Sequence, residues 1–132
     1  MKKLLLLLIP AVLFSCKKKE DDPYVLQFQS YLDKYLICDS IKVNQGGVNT
    51  VVKLGKGKGY DMKFNSDNSL LIYSNPQQQY NFFLNPPDEV YYYTTDDEEK
   101  KKYTATFPSS NKMNLVAVDS VGRIVTSYLT TE

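Results

Sequence analysis

The sequence contains no histidine and no tryptophan, and its only thiols are Cys16 and Cys38. Without histidine, the Ser-His-Asp and Cys-His nucleophile systems and the HExxH zinc site are excluded. The cysteine and histidine sets of structural zinc sites are missing as well. An enzyme would have to use paired carboxylates, lysine or tyrosine. We therefore expect a protein that is not an enzyme and has no metal or other cofactor.

The sequence also lacks an excess of charge of either sign. It carries 16 basic and 15 acidic residues among 132, a formal net charge of +1. Proteins that bind nucleic acid present a basic face to the phosphates. We therefore expect no nucleic-acid partner.

No hydrophobic run is long enough to cross a membrane. The longest, "LLLLLIPAVLF" at Leu4–Phe14, has 11 residues, whereas a transmembrane helix needs about 20. The run follows Lys2 and Lys3 and ends at Ser15, the form of a secretory signal peptide. The pattern predicts a signal peptide over residues 1–15, whose removal leaves 117 residues.

The end of this segment, "LFSC" at Leu13–Cys16, resembles the lipobox of bacterial lipoproteins. The resemblance implies that Cys16 carries lipid, becomes the first residue of the mature protein and anchors it to a membrane through several acyl chains, of which palmitate is a typical one. A signal peptide without lipid attachment is the alternative. If Cys16 is lipidated, Cys38 has no partner for an intramolecular disulfide.

The next six residues, "KKKEDD", are too polar to be buried. They predict a solvated tether over residues 16–22. Lys19, Glu20 and Asp21 resemble the surface-export signal of lipoproteins in the Bacteroidota, a lysine followed by two acidic residues. The resemblance implies an outer-membrane location at the cell surface, with retention on the inner leaflet as the alternative.

From Pro23 onward the length fits one domain over residues 23–132. Asp22 and Pro23 form a helix start, and Val25, Phe28 and Leu32 recur at helical spacing. These residues predict a short helix, about Pro23 to Lys34, whose apolar face covers the open end of a barrel. Alternation then replaces the helical period, with Ile37, Ile41 and Val43 on one face of the first strand.

About nine short strand candidates follow at close spacing, separated by turn signals such as Gly46-Gly47 and "NSDNS". The fold class predicted is mostly β, with one N-terminal helix. We expect an antiparallel meander that closes into a lipocalin-like barrel of about eight strands, because closure removes exposed strand edges.

Three segments, "YDMKFNSDNSLLIYS", "KMNLVAVDS" and "IVTSYLT", resemble the small lipocalin-like (calycin-type) lipoproteins of the Bacteroidota. The likeness spans roughly residues 31–130. It implies a barrel that binds a small apolar or glycan ligand in or at its mouth. The alternative is a non-catalytic interaction or accessory protein, with a filled core, that contacts a protein partner on its outside.

Strand alternation predicts which side chains point into the barrel. They are Tyr60, Met62, Phe64, Leu70, Ile72, Tyr80, Phe82, Leu84, Val90, Tyr92, Tyr103, Ala105, Phe107, Leu115, Ala117, Ile124 and Tyr128. The candidate ligand-lining residues are the aromatic members of that set: Tyr60, Phe64, Tyr80, Phe82, Tyr92, Tyr103, Phe107 and Tyr128. So many large rings predict a mostly filled interior, with any cavity small and near one mouth.

Three other motifs have simple interpretations. Tyr91 and Tyr93 share a strand face opposite to Tyr92, and exposed aromatic rows can stack on sugars, although packing is the commoner role. "GKGKG" at Gly55–Gly59 lacks the Walker pattern and predicts a flexible basic loop, with anion binding through Lys56 and Lys58 as the alternative. "DDEEKKK" at Asp96–Lys102 predicts a solvated hairpin tip.

The lipobox interpretation can be tested by metabolic labelling with a lipid precursor. We expect label in the wild-type chain and none in Cys16→Ser, because the acyl chains attach at that sulfur. Cys38→Ser is the matched control and should be labelled like the wild type. Equal labelling of Cys16→Ser and the wild type would contradict the interpretation.

Overall fold

A computed structural model describes residues 22–97 and 99–132 of the chain. The predicted signal peptide over 1–15, the lipidated Cys16 and the export residues Lys19, Glu20 and Asp21 lie outside the described residues. The described elements are α1 Pro23–Gln29, β1 Leu36–Gln45, β2 Val48–Lys53, β3 Met62–Phe64, β4 Ser69–Ile72, β5 Gln78–Asn85, β6 Glu89–Tyr93, β7 Lys101–Ser109, β8 Lys112–Val118 and β9 Ile124–Thr131. No helix in these ranges has both the length and the apolar composition needed to cross a bilayer.

The strands form the predicted antiparallel meander. Each strand from β3 to β8 pairs with the next one in sequence, and β1 pairs with both β3 and β9. These eight strands therefore make a closed barrel, which confirms the predicted fold class. The ninth strand, β2, pairs along one side with β1 and lies outside the closed ring.

Helix α1 begins as its sequence predicts. Asp22 accepts a hydrogen bond from the Tyr24 N–H at 2.9 Å, and Pro23 occupies the first turn. The predicted end near Lys34 is wrong, because α1 ends at Gln29. The Ser30 hydroxyl donates to the Gln27 carbonyl, and Asp33 adopts a positive φ of 62° that turns the chain toward β1.

Helix α1 covers one end of the barrel, as expected. The Phe28 ring lies 5.0 Å from the Phe64 ring and 6.0 Å from the Phe82 ring. Tyr31 is buried and donates from its hydroxyl to the Ser109 carbonyl at 2.7 Å. The helix and the turn after it thus close this end with aromatic packing and a satisfied polar group.

A β-bulge between Cys38 and Ser40 alters the face pattern of β1. Leu36 and Cys38 are fully buried, whereas beyond the bulge the inward positions shift to Ile41 and Val43. Ile37 therefore lies on the opposite face from Ile41 and Val43, and the prediction that all three share a face is wrong. The extra residue of the bulge reverses the alternation.

Most of the predicted inward side chains pack in or against the core. For three residues the prediction of an inward side chain is wrong: Tyr60, Ile124 and Tyr128. Tyr60 lies before β3 and is about half exposed, as is Ile124. Tyr128 pairs with Asn114 on the face opposite to the buried Leu129 and Met113. In β9 the inward face consists of Val125, Ser127 and Leu129. The sequence pattern places the even-numbered residues inward instead, which is a shift of one residue and so exchanges the two faces.

One side chain joins β1 to β3, where the backbone pairing is limited to Leu36 with Met62. Asp61 is fully buried beside this seam. Its carboxyl group accepts hydrogen bonds from the Cys38 N–H at 2.9 Å, the Tyr35 hydroxyl at 2.8 Å and the Gly57 N–H at 2.7 Å. Asp61 thereby supplies acceptors where a longer strand would supply backbone carbonyls.

The core prediction is tested by two neighbouring rings on β5. Phe82 is 5% exposed and Phe83 is 39% exposed. We expect Phe82→Ala and Phe64→Ala to lower the free energy of unfolding by roughly 3–5 kcal/mol, because each empties a buried aromatic site. Phe83→Ala should cost about 1 kcal/mol or less. Denaturant unfolding measures all three, and equal losses at Phe82 and Phe83 would contradict the assigned faces.

Candidate functional site

A groove of about 460 Å³ runs between α1 and β5. One wall consists of Val25 and Gln29 from α1 and of Leu32 from the turn that follows it. The other consists of residues 81–84 on β5, and Asn68 and Tyr93 complete the lining. The groove therefore lies beside the helix at the covered end of the barrel. Its volume falls within the range of small-molecule sites.

At the edge of the groove, three neighbouring rings on the outer face of β5 and β6 form a cluster that we call the aromatic platform: Phe83, Tyr91 and Tyr93. The Phe83 and Tyr91 rings stack with centroids 5.1 Å apart and planes 9° from parallel. The Lys100 ammonium lies 5.2 Å from the Phe83 ring centroid, within cation–π range. The platform therefore brings two parallel stacked rings and one ring tilted 58° from Phe83 to the edge of the groove.

Hydrogen bonds accepted by Glu89 hold the Tyr91 ring of the platform in place. Its carboxylate accepts from the Tyr91 hydroxyl at 3.1 Å, from the Asn85 side chain at 2.9 Å and from Lys102 at 3.1 Å. The hydrogen bonds from Asn85 and Lys102 lower the pKa of Glu89. The pKa of Lys102 is raised by the same contact. Both groups are thus charged at neutral pH, and the orientation of Tyr91 is fixed by a network already present in the protein.

Three amide side chains, Gln29, Asn68 and Asn81, supply the polar part of the groove lining. Within residues 22–97 and 99–132, no side-chain hydrogen bond engages these amides. Each amide offers both a donor and an acceptor, and the groove lining contains no carboxylate. The groove thus combines apolar walls, ring faces and neutral groups that can both donate and accept.

The predicted ligand-lining residues lie in three different places. Phe82 borders the groove. Phe64 and Phe107 instead pack around Phe28 in the core. Tyr60 lies before β3 and is about half exposed, and Tyr128 lies on the outer face of β9, so neither points into the barrel.

The remaining three, Tyr80, Tyr92 and Tyr103, line the inside of the barrel at the end opposite to α1. Their rings form a ladder with spacings of 5.2 Å and 4.7 Å. Burial raises the pKa of Tyr103 well above its usual value, with Tyr92 adding to the effect. The ladder fills this region, and the Tyr80 hydroxyl donates to Gln78 at its exposed end.

Sequence reasoning therefore did not identify Gln29, Asn68, Asn81 and Phe83 as groove residues. The one signal that pointed this way was the shared face of Tyr91 and Tyr93, which the structure places on the outside of the barrel. The amides carry no signal in the sequence, because isolated Asn and Gln residues are common in turns and on strand surfaces. Their convergence depends on where α1 lies.

In the buried cluster around Asp61, both carboxylate oxygens already accept hydrogen bonds from groups of the protein. Burial, followed by the nearby Asp61, raises the pKa of the Cys38 thiol to about 11. A buried thiol that stays protonated at neutral pH is a poor nucleophile. In the "GKGKG" loop, Gly57 donates to Asp61 and Lys56 pairs with Glu132. The Gly57 N–H and the Lys56 ammonium, which could otherwise bind an anion, thus have partners within the protein.

In the described ranges, no group of three or more acidic or cysteine side chains is arranged to hold a metal ion. Comparison with models of protein families, with curated proteins and with solved structures gives no match for this chain.

Proposed function

We propose that this chain is a non-catalytic binding protein that takes a short glycan segment in the groove between α1 and β5. The observation that carries the proposal is the juxtaposition of the aromatic platform with the amides of Gln29, Asn68 and Asn81. A sugar ring has an apolar C–H face and a rim of hydroxyl groups. Ring faces suit the first, and groups that both donate and accept suit the second.

A purely apolar ligand fits the groove less well. Its lining includes three amides whose hydrogen-bonding capacity an alkyl chain would bury without compensation, at a cost of roughly 1–3 kcal/mol for each group. A hydroxyl-rich ligand would satisfy them. The small apolar ligand that the lipocalin-like resemblance also implies is therefore the weaker form of the proposal.

The proposed location follows from the sequence pattern at the N-terminus. Lipid on Cys16 would hold the domain at the outer membrane, and Lys19, Glu20 and Asp21 would direct it to the cell surface. The short charged tether would separate the groove from the bilayer by a few residues. A surface position is one in which a glycan-binding site meets soluble or cell-wall polysaccharide.

The alternative function is an accessory lipoprotein that contacts a protein partner on its outside. Six exposed β-branched residues favour it, and they lie on the β1–β2 and β8–β9 hairpins: Val48, Val51, Val52, Val118, Val121 and Ile124. These residues lie far from the groove in the fold. Both functions can therefore belong to one protein.

Glycan binding is tested by presenting the purified full chain in detergent to an array of oligosaccharides and then titrating the best of them. We expect retention of one class of glycan. Phe83→Ala should weaken its binding by roughly threefold to tenfold, because a stacked ring contributes on the order of 0.5–1.5 kcal/mol. Asn81→Ala should weaken it as well, through the lost hydrogen bonds.

The matched control is Ile124→Ala, an exposed substitution on β9 that should leave the affinity unchanged. Unfolding curves for all variants would show that the fold is intact. A wild-type chain that retains no glycan, or a Phe83→Ala variant that binds as tightly as the wild type, would contradict the proposal. Binding of a fatty acid instead, with no effect of Asn81→Ala, would favour the apolar ligand.

A further inference from the structure

Strand β2 has a free edge. Its residues pair with β1 from Gln45↔Val48 to Ser40↔Lys53, and β2 is the terminal strand in the order of the sheet. All six of its residues are exposed. The backbone groups on its outer edge consequently have no strand partner within the described part of the chain. Such an edge is a template for pairing with another strand.

The sequence of β2 does not protect this edge. "VNTVVK" contains no proline, no bulge and a single charge at its end, Lys53. Four of its six residues are β-branched, the type that favours strands. Val48 is 67% exposed, Val51 56% and Val52 49%. Proteins that avoid edge pairing place charges or proline in the middle of such strands, and β2 has neither.

A second copy of β2 complements the first when the two run antiparallel. A two-fold axis perpendicular to the sheet keeps each face on its own side, so residues of the same face must lie opposite one another. With Thr50 on the axis, Val48 of each copy lies opposite Val52 of the other. Thr–Thr and valine pairs across strands are favourable. Val48 and Val52 are then covered by each other, whereas Val51 lies opposite Asn49.

The charge arrangement also favours the antiparallel pairing. In this register Lys53 lies opposite Gly47, and the two Lys53 residues are six positions apart, roughly 20 Å along the strands. That separation exceeds the screening length of about 8 Å at physiological ionic strength. A parallel pairing would instead place the two lysines side by side.

We propose that β2 is a self-association surface, and that two copies of this chain pair through it to form a continuous sheet across two barrels. The interface is small, so the dimer is weak in solution, with a dissociation constant between about 1 µM and 1 mM. Confinement of both copies to one membrane raises their effective concentration. The groove between α1 and β5 does not take part, so the inference is independent of glycan binding.

The test uses sedimentation of the purified full chain in detergent over a range of concentrations. Thr50→Lys and Thr50→Glu each place like charges opposite one another at the axis. We expect each variant alone to dimerise at least about fivefold more weakly than the wild type. An equimolar mixture of the two should recover dimerisation, because lysine then faces glutamate. Val121→Lys and Val121→Glu, in the β8–β9 turn, are the matched controls and should dimerise like the wild type.

Recovery in the mixture cannot arise from variants that fail to fold, so it supports the proposed register directly. A wild-type chain that stays monomeric up to about 1 mM would overturn the proposal. Thr50 variants that associate as strongly as the wild type would overturn it too, since the interface would then lie elsewhere. A mixture that associates no better than its components would likewise overturn it.

Discussion

The barrel depends on a single buried carboxyl group at its weakest seam. All neighbouring strands except β1 and β3 are joined by three or more paired residues, whereas these two meet at one pair. Asp61 accepts three hydrogen bonds there, from β1, from the residue before β1 and from the glycine loop. Removing an acceptor from buried donors costs more than the bond itself contributed. Closure of the ring therefore relies on this side chain more than on strand length.

The same seam explains why β2 lies outside the barrel. After the bulge at Cys38–Ser40, the free side of β1 turns away from β3 and pairs with β2. The chain then returns through the glycine loop, where the Gly57 N–H donates to Asp61. The unpaired edge of β2 is thus a consequence of how the ring closes. At the other end, α1 covers the barrel and creates the groove, so the two candidate surfaces lie at opposite ends of the fold.

The sequence predicts the strands well and the faces less well. Alternation and turn signals identify the nine strands that the structure describes, and Asp22 with Pro23 identifies the start of the helix. The predicted faces are wrong in two strands. In β1 a bulge reverses the alternation, and in β9 Val125 and Leu129 face inward while Ile124 and Tyr128 do not. The groove could not be predicted, because it forms only when α1 meets β5. The same holds for the partners of Asp61, which are distant from one another in sequence.

The most direct test is amide hydrogen exchange together with the free energy of unfolding in Asp61→Asn, with Asp96→Asn, a change at an exposed residue, as control. Asparagine keeps one acceptor and turns a donor toward the remaining N–H and hydroxyl donors. For Asp61→Asn, the account predicts that the free energy of unfolding falls by roughly 2–4 kcal/mol and that the amides of Cys38 and Gly57 exchange faster. The control should keep the stability of the wild type, with β8 and β9 protected. A loss under about 1 kcal/mol, with unchanged protection at Cys38, would show that the seam closes without Asp61 and would contradict the account.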